Sequence, residues 1–192
     1  MRKVFLFSFG CKINRCELES IREKLKDYHF TVTSQVSEAD LIVINTCAVT
    51  QKSAARCKQA IRKFIRVNPE AFMIVTGCLA QYKDNELKEI DGVDLILGNL
   101  EKEDFSIFFK KQFSGEKNPF PISFVNLQYI ENHYPFPDEI IEGFFDRTRP
   151  FVKIQDGCEQ FCSYCIIPYL RGKYRSRSQE NIIEQIKLFS SQ

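Results

Sequence analysis

The chain has 192 residues, of which 8 are cysteine, 18 are phenylalanine and 44% are apolar. This length suits one or two domains, and the apolar fraction is enough for a packed core, which excludes a disordered chain. The 27 basic and 25 acidic residues leave a net charge of +2, so any nucleic-acid binding must use local patches. The sequence has no run of about 18 apolar residues and therefore predicts no membrane span.

The first predicted strand, Val4 to Phe9, follows the basic residues Arg2 and Lys3. A secretory signal needs an apolar region of about 7 to 15 residues, and this run is shorter. We therefore expect a cytoplasmic protein, in which cysteines at repeated spacings are more typical of metal or redox sites than of disulfides. A zinc site is not favoured, because neither histidine lies near a cysteine in sequence and an all-cysteine zinc module would show two close pairs.

Three further apolar runs follow, Leu41 to Ile44, Phe72 to Val75 and Val93 to Leu97. They are short and rich in Val, Ile, Leu or Phe, as are buried strands of a parallel sheet. Helix-like sequence, with apolar residues at helical spacing, alternates with these runs. This alternation predicts an α/β fold whose amino-terminal domain is an open parallel sheet with helices on both faces.

One cysteine follows each of the first three predicted strands: Cys11, Cys47 and Cys78, which we name the strand-end cysteines. Parallel strands place their carboxyl ends along one edge, where open α/β sheets bind ligands, so we expect the three thiols to meet. Gly10 and Gly77 precede two of them and would allow a sharp turn or a close approach to a bound group. Three thiols without histidine favour a soft metal, and an iron-sulfur cluster fits best. The alternative is that these cysteines pack as small apolar side chains.

Two other cysteines do not share this position. Cys57 lies on the apolar stripe of a predicted helix and is expected in the core. Cys16 follows Cys11 by five residues, near the start of the first predicted helix, and we do not include it in the site.

The character of the chain changes after position 112. Five of the seven prolines lie between Pro119 and Pro150, where they interrupt helices and inner strands. We therefore predict a domain at residues 1–112, a linker at 113–149 and the start of a second domain at 150–192.

A second set has the compact spacing C-x3-C-x2-C and consists of Cys158, Cys162 and Cys165, which we name the loop cysteines. It lies between a predicted strand, Phe151 to Gln155, and a predicted helix, Glu180 to Phe189. Three thiolates from one loop can bind three irons of a 4Fe-4S cluster and leave the fourth iron open to a substrate. A structural zinc loop or an electron-transfer cluster is the alternative, but a nearby fourth cysteine is missing.

The compact spacing is the signature of radical S-adenosylmethionine (SAM) enzymes. Three further motifs surround the strand-end cysteines: Gly10-Cys11-Lys12-Ile13-Asn14, Asn45-Thr46-Cys47-Ala48-Val49-Thr50 and Thr76-Gly77-Cys78. With these motifs, nearly the whole chain resembles the methylthiotransferase family of radical SAM enzymes, which attach a methylthio group to an unreactive carbon. Because a (β/α) barrel needs about 200 residues or more, the resemblance implies that residues 150–192 are the first βα unit of a truncated radical SAM barrel.

Two details resemble the MtaB branch of this family, which modifies N6-threonylcarbamoyladenosine next to the anticodon of tRNA. They are the Lys-Ile-Asn that follows Cys11 and the segment 165–177, which lacks the glutamate usual in the MiaB branch. The MiaB branch acts on isopentenyladenosine in tRNA and the RimO branch on a ribosomal protein, and both stay open. A non-catalytic iron-sulfur fragment that serves electron transfer or cluster assembly is the alternative from another functional class.

The resemblance also implies cofactors and partners. The loop cysteines would hold a 4Fe-4S cluster that binds SAM and cleaves it to a 5'-deoxyadenosyl radical, with Tyr164 against the SAM adenine. The strand-end cysteines would hold a second 4Fe-4S cluster, at which sulfur is presented and methylated. The expected partners are tRNA and an electron donor such as flavodoxin or ferredoxin, and the protein is expected to be a monomer without membrane contact.

Two basic stretches are candidates for tRNA contact. The segment Lys52 to Arg66 has six Lys or Arg and no acid, and a later segment contains Arg171, Arg175 and Arg177. Phosphate contacts of this kind are salt-dependent and indifferent to sequence. The alternatives are a solvated helix face for the first stretch and SAM contact or loop structure for the second.

Overall fold

The structure, a computed structural model, describes residues 2–113, 120–126, 134–137, 139–144 and 149–191. Within these ranges the main sheet has six parallel strands in the order β2-β1-β3-β4-β5-β6. The strands are β1 (Arg2–Ser8), β2 (Phe30–Val32), β3 (Leu41–Thr46), β4 (Phe72–Gly77), β5 (Leu95–Leu97) and β6 (Ile122–Phe124). The predicted open parallel sheet is confirmed.

Helices cover both faces of this sheet, as predicted. They are α1 (Lys12–Lys26), α2 (Gln51–Val67), α3 (Cys78–Lys88) and α4 (Phe105–Gln112). Apolar side chains of α1 and α4 pack on one face, and those of α2 and α3 pack on the other. A short 3-10 turn, Val36–Glu38, precedes β3.

The central strands β3 and β4 are buried along their whole length, because helices cover both faces. Successive residues of β3 enter opposite cores: Ile42 faces α2 and α3, and Val43 faces α1 and α4. Burial of an aliphatic side chain of this size contributes about 1.5–3 kcal/mol. These two fully buried strands lead directly into Cys47 and Cys78.

Strand β6 lies inside the segment 113–149 that the sequence predicts as a linker. It pairs in parallel with β5, with Leu95 opposite Ile122, so the sheet extends beyond the predicted boundary at residue 112. Pro121 directly precedes the strand, and an edge strand tolerates such a proline because no inner hydrogen bond is lost. The dense prolines led to the prediction of a linker at a place where the chain forms a three-residue edge strand. The linker residues 114–119, 127–133, 138 and 145–148 lie outside the described residues.

The carboxyl-terminal part contains β7 (Gln155–Asp156), α5 (Ile167–Arg171), β8 (Arg175–Ser176) and α6 (Gln179–Ser190), and β7 pairs antiparallel with β8. The predicted helix is confirmed as α6, whose amino-terminal cap is Ser178. The strand predicted at residues 151–155 is wrong except for Gln155. Contacts with α1 hold this stretch instead, since the Phe151 carbonyl accepts from the Cys16 thiol at 3.6 Å.

Helix α6 is joined to the preceding segment by a pair of hydrogen bonds between one of its side chains and the backbone of that segment. The amide group of Gln185 both donates to and accepts from the backbone of Ile141, each at 2.8 Å. The described part of the chain forms no closed barrel. None of its helices combines the length and the apolar character that crossing a membrane requires.

Candidate metal centres

The strand-end cysteines lie at the carboxyl edge of three adjacent strands. Strand β3 lies between β1 and β4. Thr46 and Gly77, the last residues of β3 and β4, are partners in the sheet register, and a strand-end cysteine follows each of them directly. On the other side, β1 pairs with β3 up to Ser8, three residues before Cys11. The register therefore brings the three cysteine positions to one edge.

Gly10 allows the Cys11 loop to approach Cys47 closely. Its φ of +94° lies in the left-handed region, and a side-chain carbon there would stand 2.7 Å from Cβ and 2.9 Å from Sγ of Cys47. Any other residue would displace the Cys47 sulfur. Cys11 is exposed and Cys47 is buried, so the site opens to solvent on the side of Cys11.

Asn14 fixes the loops that carry these two cysteines. Its Nδ2 donates to the carbonyls of Phe9 and Thr46, both at 2.9 Å, and its Oδ1 accepts from the Cys11 thiol at 3.6 Å. The side chain is buried, and both loop backbones therefore depend on one amide group. Asn14 belongs to the first motif of the sequence, but its role there was not predicted.

Cys78 is the first residue of α3 and is only 2% exposed. A helix amino terminus favours a thiolate, because unpaired amide groups and the helix dipole give it partial positive charge. Burial nevertheless raises the pKa of the Cys78 thiol, while Arg171 and Lys102 act in the opposite direction. A coordinated metal removes the thiol proton, and the two cations would then stabilise the thiolate.

Gly77→Ala is expected to lower the free energy of unfolding by about 2–4 kcal/mol. Gly77 has a φ of +94°, and the new methyl group would stand 2.5 Å from the carbonyl oxygen of Thr46 and 2.7 Å from its amide nitrogen. Chemical denaturation of the metal-free chain measures the change. Gly98→Ala is the control for the backbone conformation, because its φ is ordinary. Its methyl group would press on the buried side chains of Glu101 and Gln81, and no backbone atom lies closer to it than Val125 Cα at 3.3 Å, so its loss should be smaller. Equal losses in the two variants would contradict this account.

The remaining two cysteines have separate surroundings. Cys57 is fully buried, as predicted, and its Sγ accepts from the amide of Cys47 at 3.4 Å and donates to its carbonyl at 3.6 Å. Burial raises the pKa of Cys57 to about 11, so this thiol supports the Cys47 loop in its neutral form. Cys16 points to the carboxyl-terminal part, and burial raises its pKa to about 12.

The loop cysteines lie between β7 and α5. At the base of this loop, the Cys158 amide donates to the Gly172 carbonyl at 3.1 Å. Gly157 has a φ of +75°, and a side chain there would stand 2.7 Å from the same carbonyl oxygen. Within the loop, the Cys165 amide donates to the Cys162 carbonyl at 2.9 Å. Cys162 is exposed and the other two are half-buried, so the three thiols are accessible on one short segment.

Aromatic side chains flank the loop cysteines. Tyr164 is 90% exposed, and the rings of Phe161 and Tyr169 meet edge to face at 5.6 Å. Such surfaces can pack against the flat apolar part of a ligand. Contact of Tyr164 with the SAM adenine stays a prediction.

Both cysteine sets offer thiols as their donor groups. Among the described residues, no three His, Cys, Asp or Glu side chains are placed to hold one metal ion. That each set holds a 4Fe-4S cluster stays a prediction. The donor groups are all thiols, which favours iron-sulfur clusters over magnesium or calcium.

The three arginines predicted as tRNA contacts are buried: Arg171, Arg175 and Arg177. Arg171 binds Glu17 at 2.7 Å and Asp156 at 2.8 Å, and Arg175 binds Glu103 at 2.8 Å. Arg177 donates to a backbone carbonyl at 2.7 Å. The guanidinium groups therefore bind groups inside the protein, which favours the alternative of loop structure.

Glu17 is a further residue of α1 whose burial and contacts the sequence did not predict. It is buried, although an acidic residue in an amphipathic helix is usually solvated. The available signal is its spacing, because Cys11, Asn14 and Glu17 follow one another at intervals of three residues and lie along one side of α1.

Comparison with known proteins gives a family for the chain. Residues 3–98, half of the chain, match "Uncharacterized protein family UPF0004". The threonylcarbamoyladenosine tRNA methylthiotransferase MtaB of Bacillus subtilis strain 168 is 36% identical over 185 residues, which are 96% of this chain and 40% of that protein. The MtaB protein of Aquifex aeolicus strain VF5 is 33% identical over 188 residues, 98% of this chain and 45% of that protein.

The similarity extends to relatives named for another substrate. The ribosomal protein uS12 methylthiotransferase RimO of Lachnoclostridium phytofermentans is 33% identical over 192 residues, 98% of this chain and 42% of that protein. The chain thus spans about two fifths of the length of the curated relatives that it matches. The chain belongs to the UPF0004 family, and nearly its whole length is similar to part of the MtaB methylthiotransferases.

Proposed function

We propose that this chain provides the two iron-sulfur sites of a tRNA methylthiotransferase that converts N6-threonylcarbamoyladenosine to its 2-methylthio derivative. The observation that carries the proposal is the pair of three-cysteine sets, one at the sheet edge and one in a loop, within one packed unit. The names of the MtaB relatives support the choice of substrate.

We infer that each set holds a 4Fe-4S cluster and that SAM binds at the loop cysteines with its adenine against Tyr164. Bound there, these groups supply the one-electron and sulfur-transfer chemistry. The residues of the chain position and protect them. Gly10 and Asn14 fix the strand-end loops, and the cores on both faces of the sheet exclude water from the buried cysteines. A cytoplasmic location, a monomeric state and an electron donor such as flavodoxin or ferredoxin complete the proposal.

Helix α2 supports tRNA as the partner. It has no acidic residue, and five of its six basic residues are exposed: Lys52, Arg56, Arg62, Lys63 and Arg66. The helix begins four residues after Cys47 and runs back along the sheet, so its basic face starts at the strand-end site. Like charges one turn apart repel each other, and a polyanion along the helix would relieve this repulsion.

A groove between α2 and α3 adds an aromatic surface to this basic face. Its lining includes Thr50, Lys58, Tyr82 and Lys83. The Tyr82 ring is exposed, and the Lys83 ammonium group lies 5.6 Å from its centre. Glu86 forms ion pairs with both Lys58 and Lys83, so the groove adds an aromatic surface but little net charge. An exposed aromatic ring beside a basic helix suits a stacked base of single-stranded RNA.

Arg56→Gln combined with Lys63→Gln is expected to weaken binding of an anticodon stem-loop RNA. Each lost phosphate contact reduces the slope of log K against log salt by about one, so the slope should fall by about two. Fluorescence anisotropy from low to moderate salt measures the affinity and the slope. The matched control removes two exposed charges on α4, Lys110→Gln and Lys111→Gln, and should leave both quantities nearly unchanged. Equal effects of the two double variants would show that α2 is not the contact surface.

The proposed activity is tested by anaerobic reconstitution with iron and sulfide, followed by Mössbauer spectroscopy and a SAM-cleavage assay. Two clusters, 5'-deoxyadenosine and a methylthio mass increase on tRNA that carries threonylcarbamoyladenosine would support the proposal. Two clusters without SAM cleavage would instead support a non-catalytic iron-sulfur fragment. Modification of isopentenyladenosine or of a uS12 peptide in place of threonylcarbamoyladenosine would reassign the substrate.

A further inference from the structure

A buried cluster of five charged side chains lies between the two cysteine sets, and we name it the ion cluster. Its members are Glu17, Lys102, Lys153, Asp156 and Arg171, with side chains at most 10% exposed. Glu17 accepts from Lys102 at 2.6 Å, from Arg171 at 2.7 Å and from Lys153 at 3.1 Å. Asp156 accepts from Arg171 at 2.8 Å and from Lys153 at 2.7 Å. Each carboxylate is therefore shared by at least two cations.

The ion cluster joins parts of the chain that are far apart in sequence. Glu17 belongs to α1, which begins directly after Cys11, whereas Asp156 and Arg171 stand on either side of the loop cysteines. The Nη2 of Arg171 donates at 2.8 Å to the Oδ1 of Asn14, whose side chain also holds the loops of Cys11 and Cys47. Glu17 makes a second contact near this edge, because it accepts from Asn45 at 3.2 Å. Asp156 accepts from the amide of Gly157 at 2.9 Å, one residue before Cys158. A continuous path of hydrogen bonds thus leads from one cysteine set to the other through Arg171.

The charges of the ion cluster do not balance, because its three cations face two carboxylates. The buried Arg175, which is paired with Glu103, also lies 3.6 Å from Asp156. Burial raises the pKa of Glu17, but Arg171, Lys102 and Lys153 outweigh it and hold this pKa well below its usual value. Both carboxylates are therefore ionised. Burial, together with Arg171 and Lys153, lowers the pKa of Lys102, which is the direction that a surplus of buried positive charge produces.

We propose that Arg171 is a positioning residue that couples the two metal sites. Its guanidinium group holds the strand-end loops against the base of the loop cysteines. The planar fork lets one group donate to Glu17, Asp156 and Asn14 at once. The inference rests on the proposed function only in treating the two cysteine sets as metal sites.

The coupling is tested first on the metal-free 192-residue chain by hydrogen exchange. Arg171→Lys keeps the charge and removes the fork. It should speed amide exchange at least tenfold both at residues 15–18, the first hydrogen-bonded turn of α1, and at Cys158 and Cys165. Arg177→Lys is the matched control, since Arg177 is also buried but donates to the Glu139 carbonyl. Its effect should stay within residues 139–144 and α6. Faster exchange in the Arg171 variant at residues 157–171 alone would overturn the proposal.

A second variant covers the case in which Arg171→Lys does not fold. Asn14→Ala leaves all five charges in place and cuts the path at its other end. It should speed exchange in the loop of Cys158, which Asn14 does not contact directly in the described structure. An effect confined to the loops of Cys11 and Cys47 would show that no coupling passes through Arg171.

Discussion

Replacement of the three loop cysteines with alanine is expected to lower bound iron from about eight to about four atoms per chain and to abolish SAM cleavage. The effect should be confined to one site, because these cysteines lie in a loop closed at its base by Cys158 and Gly172, outside both cores of the sheet. The fold should persist, since none of the loop cysteines is fully buried. Iron and sulfide analysis with Mössbauer spectra after anaerobic reconstitution measures the loss.

Cysteines outside the two sets provide the control for this experiment. Cys57→Ala should leave the iron content at about eight atoms, although it removes a thiol that contacts the Cys47 backbone. Cys11→Ala should lower the iron content, and its exposed position makes a folding defect an unconvincing explanation. A loss of iron with Cys57→Ala equal to that with Cys11→Ala would show that the strand-end set is wrongly assigned.

Glu17→Ala is expected to destabilise the chain by about 3–5 kcal/mol, the largest effect of a single substitution that we foresee on stability. The change leaves Arg171, Lys102 and Lys153 buried with one carboxylate between them. Glu23→Ala is the control on the same helix, because its ion pair with Arg22 is closer to solvent and should contribute about 1 kcal/mol or less. Denaturant unfolding of the metal-free variants measures both.

The Glu17 carboxylate should also make the free energy of unfolding depend on pH. The pKa of Glu17 is held well below its usual 4.5, and Asp156 is likewise held below 3.8 by Arg171 and Lys153, which outweigh burial. A carboxylate with a lowered pKa stabilises the fold above its unfolded-state pKa, and this contribution is lost as the pH falls. The free energy of unfolding should therefore decrease below about pH 4.5, and it should decrease less steeply in Glu17→Gln. Identical pH profiles would contradict a role for Glu17 in the ion cluster.

The sheet was the most predictable part of the molecule. Strands β3 and β4 are continuous apolar runs because helices cover both of their faces. Such runs can be recognised from the local sequence alone, without knowledge of the strands that pair with them. The parallel order then placed a cysteine after each strand at the same edge. Strand β6 escaped prediction because three residues among prolines give no periodic signal, and its pairing with β5 depends on a partner distant in sequence.

Charged residues were the least predictable part. Arg171 lies in a basic stretch that resembles a nucleic-acid contact, and only the fold shows that Glu17 and Asp156 meet it in the interior. Glu17 lies 154 positions from Arg171, so local sequence carries no trace of this pairing, whereas Asp156 lies 15 positions away across the loop of the loop cysteines. By contrast, the basic surface predicted for α2 is present in the structure, because a helix with six basic residues and no acidic residue has no ion-pair partner of its own.

The two cysteine sets differ in when they can form. The loop cysteines lie within eight consecutive residues, so their thiols can gather before any tertiary structure exists. The strand-end cysteines are separated by 36 and 31 positions in sequence. Cys11 directly precedes α1 and Cys78 begins α3, two helices on opposite faces of the sheet, so both layers must assemble before the three thiols meet. Contacts of such sequence separation form slowly. Iron supplied during refolding should therefore enter the loop site first and the strand-end site last, an order of maturation set by topology alone.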